Sequence, residues 1–150
     1  MKFLYIDPSV IVSVILDDSH RTKTTLKYIE EFDSIGTSEL SIVECQAGFS
    51  TNLVKKPEDL VYAEQNLNQF LARMTLYSVE SLMLSHARSL VKQYRASLGL
   101  RTLDAIHLAT ANLLRQAVIA SKDSSFYFLT ADKKQFAAFT AEGHLGKFLE

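Results

Sequence analysis

A chain of 150 residues is one domain's worth, long enough to bury a sizeable core. With 47% hydrophobic and 22% charged residues, five Gly and two Pro, its composition is globular and excludes a loop-rich or disordered chain. The formal net charge of −1 excludes whole-molecule attraction to nucleic acid, so any such binding has to come from local patches or a bound cation. Cys45 is the single cysteine, which excludes an intrachain disulfide and a thiolate metal cluster and suits a small buried hydrophobe. The first residues run straight into Asp7-Pro8 without the pattern of a signal peptide, and no apolar run reaches the ~20 residues of a membrane span. The expectation is a soluble, cytoplasmic protein.

Residues 3–6 form a short apolar run of β-formers, the pattern of a buried, central parallel strand. Asp7 is a good N-cap and Pro8 suits the first helical position, so residues 9–16 are predicted helical. The spacing of Leu26, Ile29 and Phe32 predicts an amphipathic helix over 21–32, followed by a short strand over 34–38. Leu40, Val43, Ala47 and Val54 mark a helix over 39–54 that carries Glu44; Ser41 to Glu44 also fits an S-x-x-E capping box, but a start there leaves Thr37 and Ser38 without a capping role. Lys55-Lys56-Pro57-Glu58-Asp59 closes one helix and opens the next, over 58–73. A third strand candidate lies at 75–79. The helix over 80–98, with Leu82, Leu90, Val91 and Tyr94 inward, stops at Gly99. Thr102 then caps a helix to about residue 116. Residues 126–130 are strongly β-prone, a helix starts at Lys133, and the tail from Gly143 adds a short last strand.

Strands alternating with helices imply an α/β fold: a single domain with a central, mostly parallel sheet flanked by helices. Ligands in such sheets sit beyond the carboxyl ends of the strands, at a switch in strand order. Asp7 and Asp132 each directly follow a strand, and Glu44 lies in the first turns after another. Asp104 opens an apolar helix that follows a helix and a loop, so strand logic does not place it. Each acid alone is explained by the preference for Asp and Glu at helix N-termini. Together they predict a carboxylate cluster whose members raise one another's pKa unless a cation neutralises them. All-oxygen ligation suits Mg²⁺ or Mn²⁺, and the chemistry that follows is metal-assisted phosphodiester hydrolysis.

Four stretches carry a family resemblance across nearly the whole chain: Tyr5-Ile6-Asp7-Pro8-Ser9, Ser38 through Glu44, Leu103-Asp104-Ala105-Ile106-His107-Leu108-Ala109, and Phe128-Leu129-Thr130-Ala131-Asp132. In order and spacing the sequence resembles the PIN-domain ribonucleases, most of all the VapC-type toxins of bacterial toxin–antitoxin modules. The resemblance implies that Asp7, Glu44, Asp104 and Asp132 are the catalytic, metal-holding acids, with the hydroxyls of Ser9 and Thr130 in support. It implies an Mg²⁺- or Mn²⁺-dependent endoribonuclease, a cognate antitoxin and a homodimer, for which apolar helix faces between residues 58 and 98 are available. Pro8 departs from the Thr or Ser usual after the first Asp and removes a backbone N–H.

Lys55, Lys56, Arg88, Lys92, Arg95, Arg101, Lys133 and Lys134 are candidate phosphate contacts, of which Lys133, Lys134 and then Arg101 are best placed beside the acids. His107, one turn after Asp104, reads as a hydrogen-bonded core residue rather than a ligand. His20, His86 and His144 read as surface residues, and Asp123 belongs at the opposite sheet edge because it precedes its strand. Two rivals are a catalytically silent PIN-like scaffold for RNA or protein, and a receiver-like phosphoacceptor domain. The receiver lacks its paired acids here, since Asp7 has no acidic neighbour.

Overall fold

The computed structural model describes residues 1–17, 20–52 and 57–150. The elements in chain order are β1 (Lys2–Ile6), α1 (Pro8–Leu16), α2 (His20–Ile29), β2 (Ser34–Ser38), α3 (Leu40–Asn52), α4 (Pro57–Leu71), β3 (Thr75–Tyr77), α5 (Ser81–Leu98), α6 (Thr102–Ile119), β4 (Ser125–Thr130), α7 (Lys133–Ala141) and β5 (Leu145–Phe148). The predicted end of the third helix and the Lys55-Lys56 pair lie outside the described residues.

Five strands form one sheet in the order β3-β2-β1-β4-β5, and every pairing is parallel. The expected α/β fold is thus present, with a wholly rather than mostly parallel sheet. The order reverses between β1 and β4, which makes the carboxyl ends of those two strands the switch point. A receiver-like fold places its first strand between the second and third, so this strand order removes that rival.

β1 lies at the centre and is buried from Phe3 to Ile6. Its alternate side chains divide the core. Phe3 and Tyr5 pack with Leu90, Leu108, Phe128 and Phe139 beneath α5, α6 and α7. Leu4 and Ile6 pack with Ile11, Phe49 and Leu67 beneath α1, α3 and α4. This period-2 division is what a strand covered on both faces dictates.

The helix ends follow local chemistry. Asp7 is the N-cap of α1, accepting from the Ser9 N–H, with Pro8 at the first helical position. Ser38 Oγ accepts from the Leu40 N–H at 3.3 Å, and Ser41 is buried against Thr37 at 2.6 Å. α3 therefore starts before Ser41, and the S-x-x-E box is not the cap. Gly99 ends α5 at φ 68°, in the left-handed region that favours glycine.

Four expectations need correction. α2 ends at Ile29 because Phe32 leaves the helix to pack on Tyr28 and Tyr127. Arg101, not Thr102, is the N-cap of α6, and that helix continues to Ile119. Leu82 is 65% exposed, since Ala87 and Leu90 define the inner face of α5. His144 is buried, its ring packed near Phe126, Phe128 and Phe139, and His86 is half-buried against Asn112.

Candidate active site

Asp7 leaves the end of β1 while its N–H still bonds Leu129 O on β4. Asp132 leaves β4 and caps α7, accepting from the N–H groups of Lys134 at 2.7 Å and Gln135 at 3.1 Å. Glu44 projects from the second turn of α3. Asp104 sits in the first turn of α6, which runs directly back into parallel strand β4. A helix leading into a parallel strand begins at the carboxyl edge of the sheet, so Asp104 arrives beside the others. The side chains of Asp7, Ser9, Glu44, Arg101, Asp104 and Asp132 line one open cleft of about 340 Å³. The four acids are therefore brought together, and Asp123 lies at the opposite edge, where its carbonyl accepts from the Met1 amine at 2.9 Å.

Asp7 is the most constrained of the four. Its Oδ2 accepts from the Ser9 N–H, from the Ser9 hydroxyl through a short bond, and from Thr130 Oγ1 at 3.1 Å. Ser9 Oγ accepts in turn from the Ala131 N–H at 3.0 Å, and Thr130 Oγ1 from the Asp132 N–H at 3.0 Å. The two hydroxyls thus tie the Asp7 carboxylate to the β4–α7 turn. Burial raises the Asp7 pKa, while the His107 imidazole and the Ser9 and Thr130 hydrogen bonds pull it back. Desolvation, rather than repulsion among the acids, is the main cause.

Arg101 lies inside the acid cluster. Its Nε and one terminal nitrogen approach Asp104 at 2.9 and 3.2 Å, and the terminal nitrogen also reaches Asp132 Oδ2 at 3.2 Å. The Arg101 N–H donates to Asp104 Oδ2 at 2.9 Å. The guanidinium expected to face substrate is thus engaged by the acids, although its side chain remains 62% exposed. Lys133 and Lys134 are exposed at the start of α7, and the Lys134 amine reaches toward Gly99 in the α5–α6 turn.

Three further residues take part that local pattern did not reveal as site residues. His107, 1% exposed, sets Nε2 2.5 Å from Glu44 Oε1 and Nδ1 2.7 Å from the Tyr5 hydroxyl. Burial pushes the Tyr5 phenol well above its ordinary range, and the Asp7 carboxylate adds to this, so the phenol keeps its proton. Buried Gln135 donates to Asp104 O at 3.3 Å and more distantly to Asp7 Oδ1 at 3.5 Å, while its buried Oε1 has no partner among the described residues. Cys45 is buried beside the site with its thiol pushed up to about 12, chiefly by burial, and is inert there.

Whether these groups suit a divalent ion can be judged from their chemistry. The donors are carboxylate oxygens, the set preferred by Mg²⁺ and Mn²⁺. A cation, the Arg101 guanidinium, already bridges two of them. Among the described residues no three acid, imidazole or thiol groups converge into a finished coordination set with the side chains as they stand. The donor set fits; the Asp104 and Asp132 carboxylates have to turn from Arg101 to an ion.

Among solved structures, the chain is similar to a toxin–antitoxin complex from Klebsiella pneumoniae, at 19% identity over 89% of this chain and 90% of that one, with a TM-score of 0.62. It is similar to PAE2754 from Pyrobaculum aerophilum, at 15% identity over 97% and 92%, with a TM-score of 0.68. It also resembles DNA-bound VapBC from Salmonella typhimurium, at 12% identity over the full length of both chains, again with a TM-score of 0.68. At these identities the likeness is one of fold. No curated protein matches the sequence. The PIN domain family matches residues 4–132, a span that opens within β1 and closes on Asp132, so it takes in all four acids of the cleft. The chain belongs to the PIN domain family.

Proposed function

We propose that this protein is a metal-dependent endoribonuclease and the toxin of a toxin–antitoxin pair. The observation that carries the reading is the convergence of Asp7, Glu44, Asp104 and Asp132 on one cleft at the β1/β4 switch point. PIN domains are typically nucleases, and clustered carboxylates are otherwise a destabilising feature.

Asp7, Glu44, Asp104 and Asp132 would hold Mg²⁺ or Mn²⁺, directly or through water. Such an ion supplies Lewis-acid stabilisation of phosphodiester charge and an activated water nucleophile. The chain's own groups prepare the place. Ser9 and Thr130 fix Asp7 Oδ2, while Oδ1 faces the more distant Gln135 amide. Arg101, once released from the acids, presents its guanidinium to a substrate phosphate, and Lys133 and Lys134 extend that positive rim. A single-stranded or locally opened RNA suits an open cleft of this size.

Similarity to toxin–antitoxin complexes supports an antitoxin as partner. A separate groove of about 520 Å³, lined by Val14 and Ile15 of α1 with Leu26, Tyr62 and Phe70, offers apolar surface for such a chain. Exposed Val61 and Tyr62 on α4 and Leu82 and Leu84 on α5 are available for a homodimer. No helix among the described residues is long and apolar enough to cross a membrane.

Cleavage of single-stranded RNA in Mn²⁺ by wild type and by Asp7→Asn tests the reading. The expected result is cleavage by wild type that EDTA abolishes and Asp7→Asn lacks. Intact RNA with wild type, together with no Mn²⁺-dependent rise in Tm, would favour the silent scaffold. Cleavage of DNA strands at the same rate would reassign the substrate.

A further inference from the structure

Three of the four acids are aimed by the backbone. Asp7 accepts from the Ser9 N–H, Asp132 from those of Lys134 and Gln135, and Asp104 from that of Arg101. Glu44 differs. It lies in the second turn of α3, beyond the orphan N–H groups of the helix start, and its longer side chain has more rotamers to lose. Something outside α3 has to hold it, and the contact it makes is with His107.

We propose that Tyr5 and His107 form a two-step hydrogen-bond relay that fixes the Glu44 carboxylate at the cleft, as positioning residues rather than ligands. The inference rests on the metal-nuclease reading only for its consequence, not for its geometry. A carboxylate oxygen accepts, so the ring proton that lies between the two groups sits on Nε2 and is donated to Glu44 Oε1 over 2.5 Å. Nδ1 then carries a lone pair, and the Tyr5 hydroxyl donates to it over 2.7 Å. The opposite tautomer sets a lone pair against the carboxylate. Glu44 therefore sets the tautomer, and the Tyr5 hydroxyl, by donating to Nδ1, supports it and holds the ring in place.

The frame behind the relay is rigid. Tyr5 is fully buried on the central strand, His107 is 1% exposed, and Glu44 is 25% exposed, so the chain runs from the core to the cleft. Asp104 and His107, three residues apart, share one face of α6. That helix thereby supplies one acid and the hold on another.

The first test needs neither metal nor RNA. Long-range ¹H–¹⁵N spectra of wild type at about pH 8, where an ordinary imidazole is neutral, are expected to show His107 with its proton on Nε2. Tyr5→Phe is expected to weaken that preference. A wild-type proton on Nδ1 would overturn the relay. The second test measures Mn²⁺ affinity by calorimetry on chains shown to be folded by circular dichroism. His107→Leu is expected to weaken binding by about 10–100-fold, the range for lost supporting groups. His107→Gln, whose amide can still donate, is expected to recover most of it. A folded His107→Leu with wild-type affinity would overturn the relay and leave the metal site standing. Wild type with the Nε2 proton but no Mn²⁺ uptake would uphold the hydrogen-bond chain and refute the metal site.

Discussion

The two ends of α7 carry two polar clusters built from the same kinds of side chain. At its start, Asp132 joins three more carboxylates and a single engaged guanidinium. At its end, Glu142 accepts from the Tyr94 hydroxyl at 2.6 Å and the Asn112 amide at 2.9 Å. Asn112 in turn pairs with His86 at 2.9 Å and His144 at 2.5 Å. Glu142 sits at a helix C-terminus, where the dipole disfavours an acid, yet each of its oxygens has a donor. One carboxylate matched by neutral donors pins α5, α6 and α7 together. Four carboxylates around one borrowed cation leave negative charge to be neutralised from outside. The crowding of like charges, rather than burial, residue type or the number of donors, separates a structural cluster from a candidate site.

The largest effect expected to follow from this contrast is on catalysis. Asp7→Asn should lower RNA cleavage by more than the ~10–100-fold typical of a lost supporting group, whereas Tyr94→Phe should leave it within about twofold; single-turnover assays on both check this.

Next comes metal-linked stability. Mn²⁺ at about 100 times its Kd should add ~2.7 kcal/mol, a rise of roughly 5–10 °C in Tm for a chain of this size. EDTA should reverse it, and Asp7→Asn should abolish it in a calorimetric scan.

Acid titration of the metal-free protein sharpens the comparison further. Burial and nearby Arg115 lower His144 from 6.5 to about 4, so stability from this group is present above 6.5 and lost as pH falls toward 4. At ~1.4 kcal/mol per unit the loss is on the order of 3 kcal/mol. Asp7 works in the opposite sense: its folded value is raised above 3.8, so its contribution is full below 3.8 and lost as pH rises through the folded value. Asp7→Asn should therefore stabilise the metal-free protein at neutral pH and steepen its acid loss, while His144→Gln should flatten that loss. Urea unfolding at several pH values reads both slopes.

The smallest effect concerns Arg101. Arg101→Gln removes a competitor for Asp104 and Asp132, and should tighten Mn²⁺ binding a few-fold, on the order of 1 kcal/mol for an exposed pair. The same change should raise the KM for RNA. Opposite movements of the two constants support the switch of partners; loss of Mn²⁺ affinity would break it.

Much of this arrangement was legible in the sequence. Asp7 and Asp132 each follow a β-prone run and sit where an N-cap belongs, so local chemistry and strand direction both point to the carboxyl edge. Asp104 needed one more step, that its helix leads into a parallel strand. What local pattern did not yield is the bonding between acids and their neighbours. Tyr5 and His107 lie 102 residues apart, and Gln135 and Asp7 128 apart. No periodicity encodes such pairs. His144 followed the same rule: a polar residue in a turn-rich tail reads as exposed until a stack of Phe rings closes over it. Thr102 lost its capping role to Arg101 because the Asp104 carboxylate takes the backbone N–H that defines the cap.

The pairing of β1 with β4 also sets an order of assembly. Lys2 lies opposite Ser125, and the Thr130 hydroxyl that steadies Asp7 is 123 residues downstream. During synthesis the first strand waits, without its neighbour, until most of the chain has left the ribosome. A translating ribosome thus carries no finished cleft: Asp7 and Asp132 come together, and Thr130 reaches Asp7, only after β4 has emerged.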